Sequence, residues 1–294
     1  FYLPVAMGHK VVMMYKWDAT RALELIEHER VTGLATVPAI LLDLLNHPDY
    51  EKYDTTSMMR VSAAGAATPA GLPELIESRV SNASRSAGYG MTETMAVGGT
   101  MSGALFDFKP DSAGFVSPIM DMRFVAPDGS VLPEGEPGEI EMRGVCVTPG
   151  YWEKDEANSK TFDADGWMKT GDIGVIDEDG YLFITGRIKE IVIRGGENIY
   201  PGEIEQAAYE RPEVREVVVF GEPDAAMGEE LVMVAYLDRN ADLEESELRG
   251  FLSERLAGYK VPRTIHFASD PLPRNASEKL HKLKVKEAYL EALA

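Results

Sequence analysis

The chain has 294 residues, 45% hydrophobic and 27% charged, enough apolar material for a substantial core and more than one domain. Asp and Glu total 49 against 29 Lys and Arg, and the formal charge of -20 opposes nucleic acid and anionic membrane surfaces, where cationic side chains must replace counterions. The longest apolar stretch, 34–45, is broken by Pro38 and Asp43 and is too short to span a bilayer.

Residues Phe1 to Lys16 lack the basic start, apolar core and cleavage site of a leader, and the natural start is expected upstream of Phe1. From Asp18 to Val31 a capping residue precedes Ala22, Leu23, Leu25 and Ile26 on one helical side, which predicts an amphipathic helix ended by Gly33. Leu34 to Val37 reads as a short buried strand, and Pro38 suits the first turn of a helix that stops before His47-Pro48. The rhythm recurs with a strand over Met58 to Ala63, a small-residue loop from Gly65 to Pro69 and a helix from Pro69 to Val80, so layered α/β is the economical fold. From about Phe108 to Gly186 the texture changes to short alternating segments separated by Pro127-Asp128-Gly129, Pro133-Glu134-Gly135 and Glu178-Asp179-Gly180, which predicts a β-rich subdomain. The single cysteine, Cys146, excludes an intrachain disulfide; it has no Cys/His ligand cluster, reads as a small buried hydrophobe and points to a reducing cytoplasm.

After Gly186 the sequence predicts a compact α+β domain: a strand at Ile191 to Ile193, a helix opening at Pro201, strands near Val217 and Val232, and a helix from Asp242 with Glu245 completing a capping box. A basic helix, His281 to Leu293, ends the chain. The α/β class thus divides into three expected parts: 1–107, 108–186 and 187–294. There is no solenoid repeat and no low-complexity tract.

Three clusters carry chemistry. In Gly88-Tyr89-Gly90-Met91-Thr92-Glu93, two glycines permit close backbone approach, Tyr89 can cover a base, Thr92 can donate to a phosphate oxygen and Glu93 offers a hard oxygen to Mg2+. A plain strand end and turn would look the same. The third glycine of the dinucleotide fingerprint is replaced by Glu93, and G-x-x-x-x-G-K-[ST] does not occur, so Rossmann and Walker readings fail. In Lys169-Thr170-Gly171-Asp172, the carboxylate of Asp172 can accept from two vicinal ribose hydroxyls, with Arg187 as a fixed cation; an ordinary Asp-Gly turn and a surface salt bridge are the alternatives. Near the end, Lys279 follows a polar loop and is either a solvated lysine or a cation that neutralises charge developing between a carboxylate and an α-phosphate.

Together and in this order, with Gly65-Ala66-Ala67, Gly138-Glu139-Ile140, Gly150-Tyr151-Trp152, Gly186-Arg187 and Gly195-Gly196-Glu197-Asn198-Ile199-Tyr200-Pro201, these clusters resemble the adenylate-forming superfamily, specifically AMP-forming acyl-CoA synthetases, over essentially the whole chain. The resemblance implies the remainder of a large layered α/β domain, a β-rich barrel-like subdomain and a small mobile C-terminal lid. It implies that a carboxylic acid attacks ATP to give an acyl-adenylate, which the lid's rotation then exposes to coenzyme A. In its terms Gly65, Ala66, Ala67, Gly88, Tyr89, Gly90, Met91, Thr92, Asp172, Ile184 and Arg187 line the nucleotide, Glu93 binds Mg2+, and Lys279 serves adenylation. Lys189 is the hinge, and Gly195, Gly196 and Glu197 face the thioester site.

Two departures temper this expectation. The family's upstream phosphate loop ending in lysine is absent, so little turnover is expected of this segment by itself. Glu278 stands where the family carries glycine, which predicts weakened adenylation relieved by Glu278→Gly. Small residues at Ala96, Gly98 and Gly99 suggest room for a fatty or aryl acyl group. A domain loading a carrier-protein thiol and a non-catalytic nucleotide-binding module are the competing readings.

Overall fold

A computed structural model describes residues 6–63, 71–80, 86–238, 241–275 and 279–293. The loop Gly65, Ala66 and Ala67, and Glu278, lie outside the described residues. The chain divides into two compact units, Phe1–Ser86 and Ala87–Ala294.

In the first unit, α1 (Ala19–Glu29) starts at Asp18, whose carboxylate accepts the Arg21 N–H at 2.8 Å. The expected stop at Gly33 is wrong by three residues. Arg30 adopts the left-handed conformation (φ 52°) that ends the helix, and Gly33 opens the next strand. Strands β1 (Gly33–Thr36) and β2 (Arg60–Ala63) pair in parallel, linked through α2 (Pro38–Leu45), as a layered α/β unit requires. With α3 (Leu72–Arg79), these elements bury Leu23, Leu41, Leu44, Leu45 and Leu72 in one cluster, each worth about 1.5–3 kcal/mol relative to exposure.

The second unit holds three sheets. Strands β3 (Ser86–Tyr89), β4 (Gly99–Ser102) and β5 (Phe115–Val116) form the first, with the five-residue helix α4 (Ala104–Phe108) between β4 and β5. Strands β6 (Met120–Val125), β7 (Gly138–Gly144), β8 (Met168–Ile176) and β9 (Leu182–Arg187) form an antiparallel meander, with the short helix α5 (Asp155–Thr161) between β7 and β8. The expected β-rich region is therefore present as an open sheet with no barrel closure among the described residues. Alternation decides its faces: Ile140, Met142, Met168 and Leu182 are fully buried and pack together, with half-buried Cys146 against them.

The third sheet contains β10 (Val192–Arg194), β11 (Glu197–Ile199), β12 (Val214–Asp224), β13 (Gly228–Leu237) and β14 (Thr264–Ala268), with β13 central. Helices α6 (Pro201–Tyr209) and α7 (Glu245–Ser253) contribute to one core cluster of this sheet, and α8 (Lys282–Leu293) contributes Val285 and Tyr289 to another. The capping box of α7 lies two residues beyond its expected place: Glu244 is the cap and Glu247 returns to the Glu244 N–H at 3.0 Å. No described helix is long and apolar enough to cross a membrane.

Candidate functional site

The site begins in the antiparallel register of β8 and β9, which places Asp172 directly opposite Arg187. The Arg187 Nε lies 2.9 Å from Asp172 Oδ1. From the neighbouring sheet the Tyr89 hydroxyl donates to Asp172 Oδ2 at 2.7 Å. Asp172 is 5% exposed while the Arg187 side chain is 65% exposed, so the carboxylate is held at the base of the cluster with the guanidinium at its rim. Screening at that rim limits the ion pair to roughly 0–1 kcal/mol of stability. Its value is orientation, reinforced by the Asp172 N–H donating to Thr170 Oγ1 at 3.1 Å while that hydroxyl donates to the Ile140 carbonyl at 2.7 Å. Burial, followed by the adjacent Asp172 charge, pushes the Tyr89 phenol well above its ordinary range, so it remains a donor at neutral pH.

Tyr89 reaches Asp172 because the two sheets are stitched together by backbone bonds, Ala113 N–H to Leu182 O at 2.7 Å and Leu182 N–H to Gly114 O at 2.8 Å. The glycines around Tyr89 pack its strand closely against the neighbouring chain within the first sheet. A Cβ on Gly88 would lie 2.8 Å from Gly99 O, and one on Gly90 2.4 Å from the Ala96 carbonyl carbon. Both glycines let the chain approach itself closely. At the glycines expected to leave acyl space, Cβ atoms on Gly98 and Gly99 would meet Tyr89 O at 2.7 Å and Ala113 O at 2.9 Å, so the volume a side chain would take at these two positions is filled by backbone. Ala96 is exposed with φ 62°.

Beyond Met91, Thr92 to Thr94 form a single 3-10 turn held by buried Thr94, whose hydroxyl lies 3.2 Å from both the N and O of Met91. Thr92 is exposed and Glu93 half-buried. No hydrogen bond or ion pair among the described residues joins Thr92 or Glu93 to Asp172 or Arg187; the short run from Tyr89 is what links them. Glu93 has a partner the sequence did not suggest, the Tyr151 hydroxyl, which donates to Oε1 at 2.8 Å. Asn158 clamps Tyr151 in turn, accepting its N–H at 2.7 Å and donating to its carbonyl at 2.9 Å. The Gly150-Tyr151-Trp152 signature was the available signal, but nothing in an isolated tyrosine specifies its carboxylate. No cluster of three or more His, Cys, Asp or Glu suited to a metal exists among the described residues. What Glu93 offers here is one hard carboxylate oxygen pair, with Oε1 aimed by the Tyr151 hydroxyl.

Two of the other expected residues flank Arg187 along the chain, and the rest follow in the third sheet and beyond. Ile184 is exposed on β9, and Lys189 is exposed in the 3-10 turn Ile188–Glu190 that follows Arg187. Gly195 and Gly196, with φ 60° and 89°, form the two-residue turn between β10 and β11, with Glu197 opposite Arg194. Arg194 anchors that hairpin by a two-pronged bond to buried Glu230 at 2.8 and 3.1 Å. Lys279 is exposed; its N–H donates to Asn275 Oδ1 at 3.1 Å and its carbonyl accepts the Asn275 N–H at 2.9 Å.

The model of the AMP-binding enzyme family matches residues 1–152, and that of the AMP-binding enzyme C-terminal domain matches 203–279. The chain belongs to the AMP-binding, adenylate-forming enzyme family. It is similar to the putative acyl-CoA synthetase YngI of Bacillus subtilis, 34% identical over 98% of this chain and 52% of that protein. Among solved structures it resembles the amide bond synthetase McbA of Marinactinospora thermotolerans, with a TM-score of 0.86 and 29% identity over 97% of this chain and 57% of that one. It also resembles the o-succinylbenzoate coenzyme A synthetase MenE of Bacillus subtilis in complex with ATP and magnesium, with a TM-score of 0.82 and 32% identity over 97% and 57%. The chain thus spans about half the length of the curated relatives it matches.

Proposed function

We propose that this chain is the nucleotide-holding and lid portion of an acid–thiol ligase, which joins a carboxylic acid to coenzyme A through an acyl-adenylate with release of AMP and pyrophosphate. The observation that carries it is the Tyr89–Asp172–Arg187 cluster, in which one buried carboxylate is aimed by a phenol and a guanidinium. In this reading the Asp172 carboxylate accepts the two ribose hydroxyls, Arg187 donates beside it, and Tyr89, with Gly88, Gly90 and Met91, covers the adenine with Ile184 on the other side. Thr92 donates to the α-phosphate, and Glu93, aimed by Tyr151, holds Mg2+, which when bound neutralises phosphate charge. Lys279 neutralises the charge developing as the carboxylate attacks the α-phosphorus. Within 187–294, the part beyond Lys189 acts as the lid, turns about that residue and presents the Gly195–Glu197 hairpin for attack by the thiol on the anhydride carbonyl, with AMP as leaving group.

The names of YngI and MenE support coenzyme A as acceptor; MenE's o-succinylbenzoate supports an aryl acid, and likeness to a long-chain-fatty-acid–CoA ligase of Bacillus subtilis supports a fatty one, while the likeness to McbA supports an amine acceptor as the second reading. Calorimetric titration with AMP tests the nucleotide site directly. Saturable binding that Asp172→Ala weakens is expected, and binding indifferent to Asp172 overturns the reading. Supplying the natural full-length protein with acid, ATP and either coenzyme A or an amine decides the acceptor.

A further inference from the structure

Lys282 is the first residue of α8 and stands three positions after Lys279. Its ammonium donates to Glu190 Oε2 at 2.5 Å and to Glu205 Oε2 at 3.0 Å. Glu190 is the last residue of the turn that carries Lys189. Glu205 projects from α6, is 6% exposed, and accepts the Val219 N–H of β12 on its Oε1 at 2.8 Å. One ammonium therefore ties three separate pieces of chain to the core of the third sheet. Burial works against charge on Lys282, but Glu205 and Glu190 more than offset it and hold the amine protonated above its ordinary range. Burial pushes the Glu205 carboxyl upward. Desolvation consumes most of the Coulombic gain in such a network, so net stability is a poor explanation for it; fixing geometry is a better one.

We propose that Lys282 is a positioning residue, which locks the start of α8, just after Lys279, and Glu190, just after Lys189, to the α6–β12 core so that Lys279 and the lid side of the hinge move as one piece. This rests on the proposed roles of Lys279 in adenylation and Lys189 as hinge.

The test uses the natural full-length protein and three variants, Lys282→Met, Lys282→Arg and Glu205→Gln. Lys282→Met is expected to slow acid-dependent pyrophosphate exchange roughly 10- to 100-fold through misplacement of Lys279, with KM for ATP little changed. Lys282→Arg restores most of the rate, and Glu205→Gln, which keeps the side-chain volume, gives a smaller loss in the same direction. In a Lys279→Ala background Lys282→Met adds nothing, because it acts through Lys279. Hydrogen exchange at the Lys279 and Ile191 amides is expected to quicken in Lys282→Met. An equal slowing with and without Lys279, or unchanged exchange at both amides, overturns the proposal. Full pyrophosphate exchange by Lys279→Ala alone would instead sink the catalytic reading of Lys279, while the amide exchange still decides whether Lys282 anchors the two segments.

Discussion

The corner formed by Tyr89, Asp172 and Arg187 and the setting of Lys279 are built in opposite ways. The corner is fixed by strand register, since β8 and β9 place Asp172 against Arg187 and the backbone bonds between sheets bring Tyr89 to the same carboxylate. Lys279 is exposed, its backbone bonded to Asn275, and its placement depends on how firmly the adjoining helix α8 is held. A group that must hold a ligand through a whole cycle gains from preorganisation in a sheet. A group needed for one step only can stand at an exposed position.

The sharpest way to break this contrast is Lys279→Ala in the full-length protein. Adenylation measured by pyrophosphate exchange is expected to fall about 100- to 1,000-fold while AMP affinity stays unchanged, as loss of one preorganised charge should produce. Asp172→Ala should do the reverse, weakening AMP binding by roughly 10- to 150-fold through loss of charge-assisted hydrogen bonds of about 1.5–3 kcal/mol, as read by calorimetry. Gly90→Ala tests whether the Tyr89 run is held by close backbone packing. Its Cβ would enter the Ala96 carbonyl, so thermal unfolding should show a loss of about 1–3 kcal/mol. Tyr151→Phe should raise the Mg2+ concentration for half-maximal exchange about 10-fold with ATP affinity little altered, since only the aim of Glu93 is lost. The smallest effect belongs to pH. Because the folded Tyr89 phenol titrates above its ordinary value, the unfolded chain loses its proton first, and stability should decline as pH rises past about 10. Tyr89→Phe should remove that share of the alkaline loss, read as a smaller drop in Tm between neutral and alkaline buffer.

Local signals placed most elements to within a few residues. Asp18 capped its helix, Pro38 and Pro201 opened theirs, and the aspartate-glycine turns of the meander fell between strands. Boundaries failed where a neighbouring residue supplied an equivalent device, as when Arg30 took the left-handed position expected near Gly33, or Glu244 took the cap expected at Asp242. Ordered motifs were enough to establish the family, because each glycine, acid and cation keeps its type and sequence order whatever the fold does around it.

Partnership was another matter. That Tyr89 and Arg187 meet at Asp172, that Tyr151 serves Glu93, and that Lys282 joins Glu190 to Glu205 are contacts between residues from 15 to 92 positions apart. Such pairings arise from sheet register and from burial that excludes competing water, and neither is encoded in any local window of residues. The glycines at 98 and 99 show the same limit: smallness is legible in the chain, but whether the vacant volume goes to a ligand or to a neighbouring strand is settled only when the strands pack.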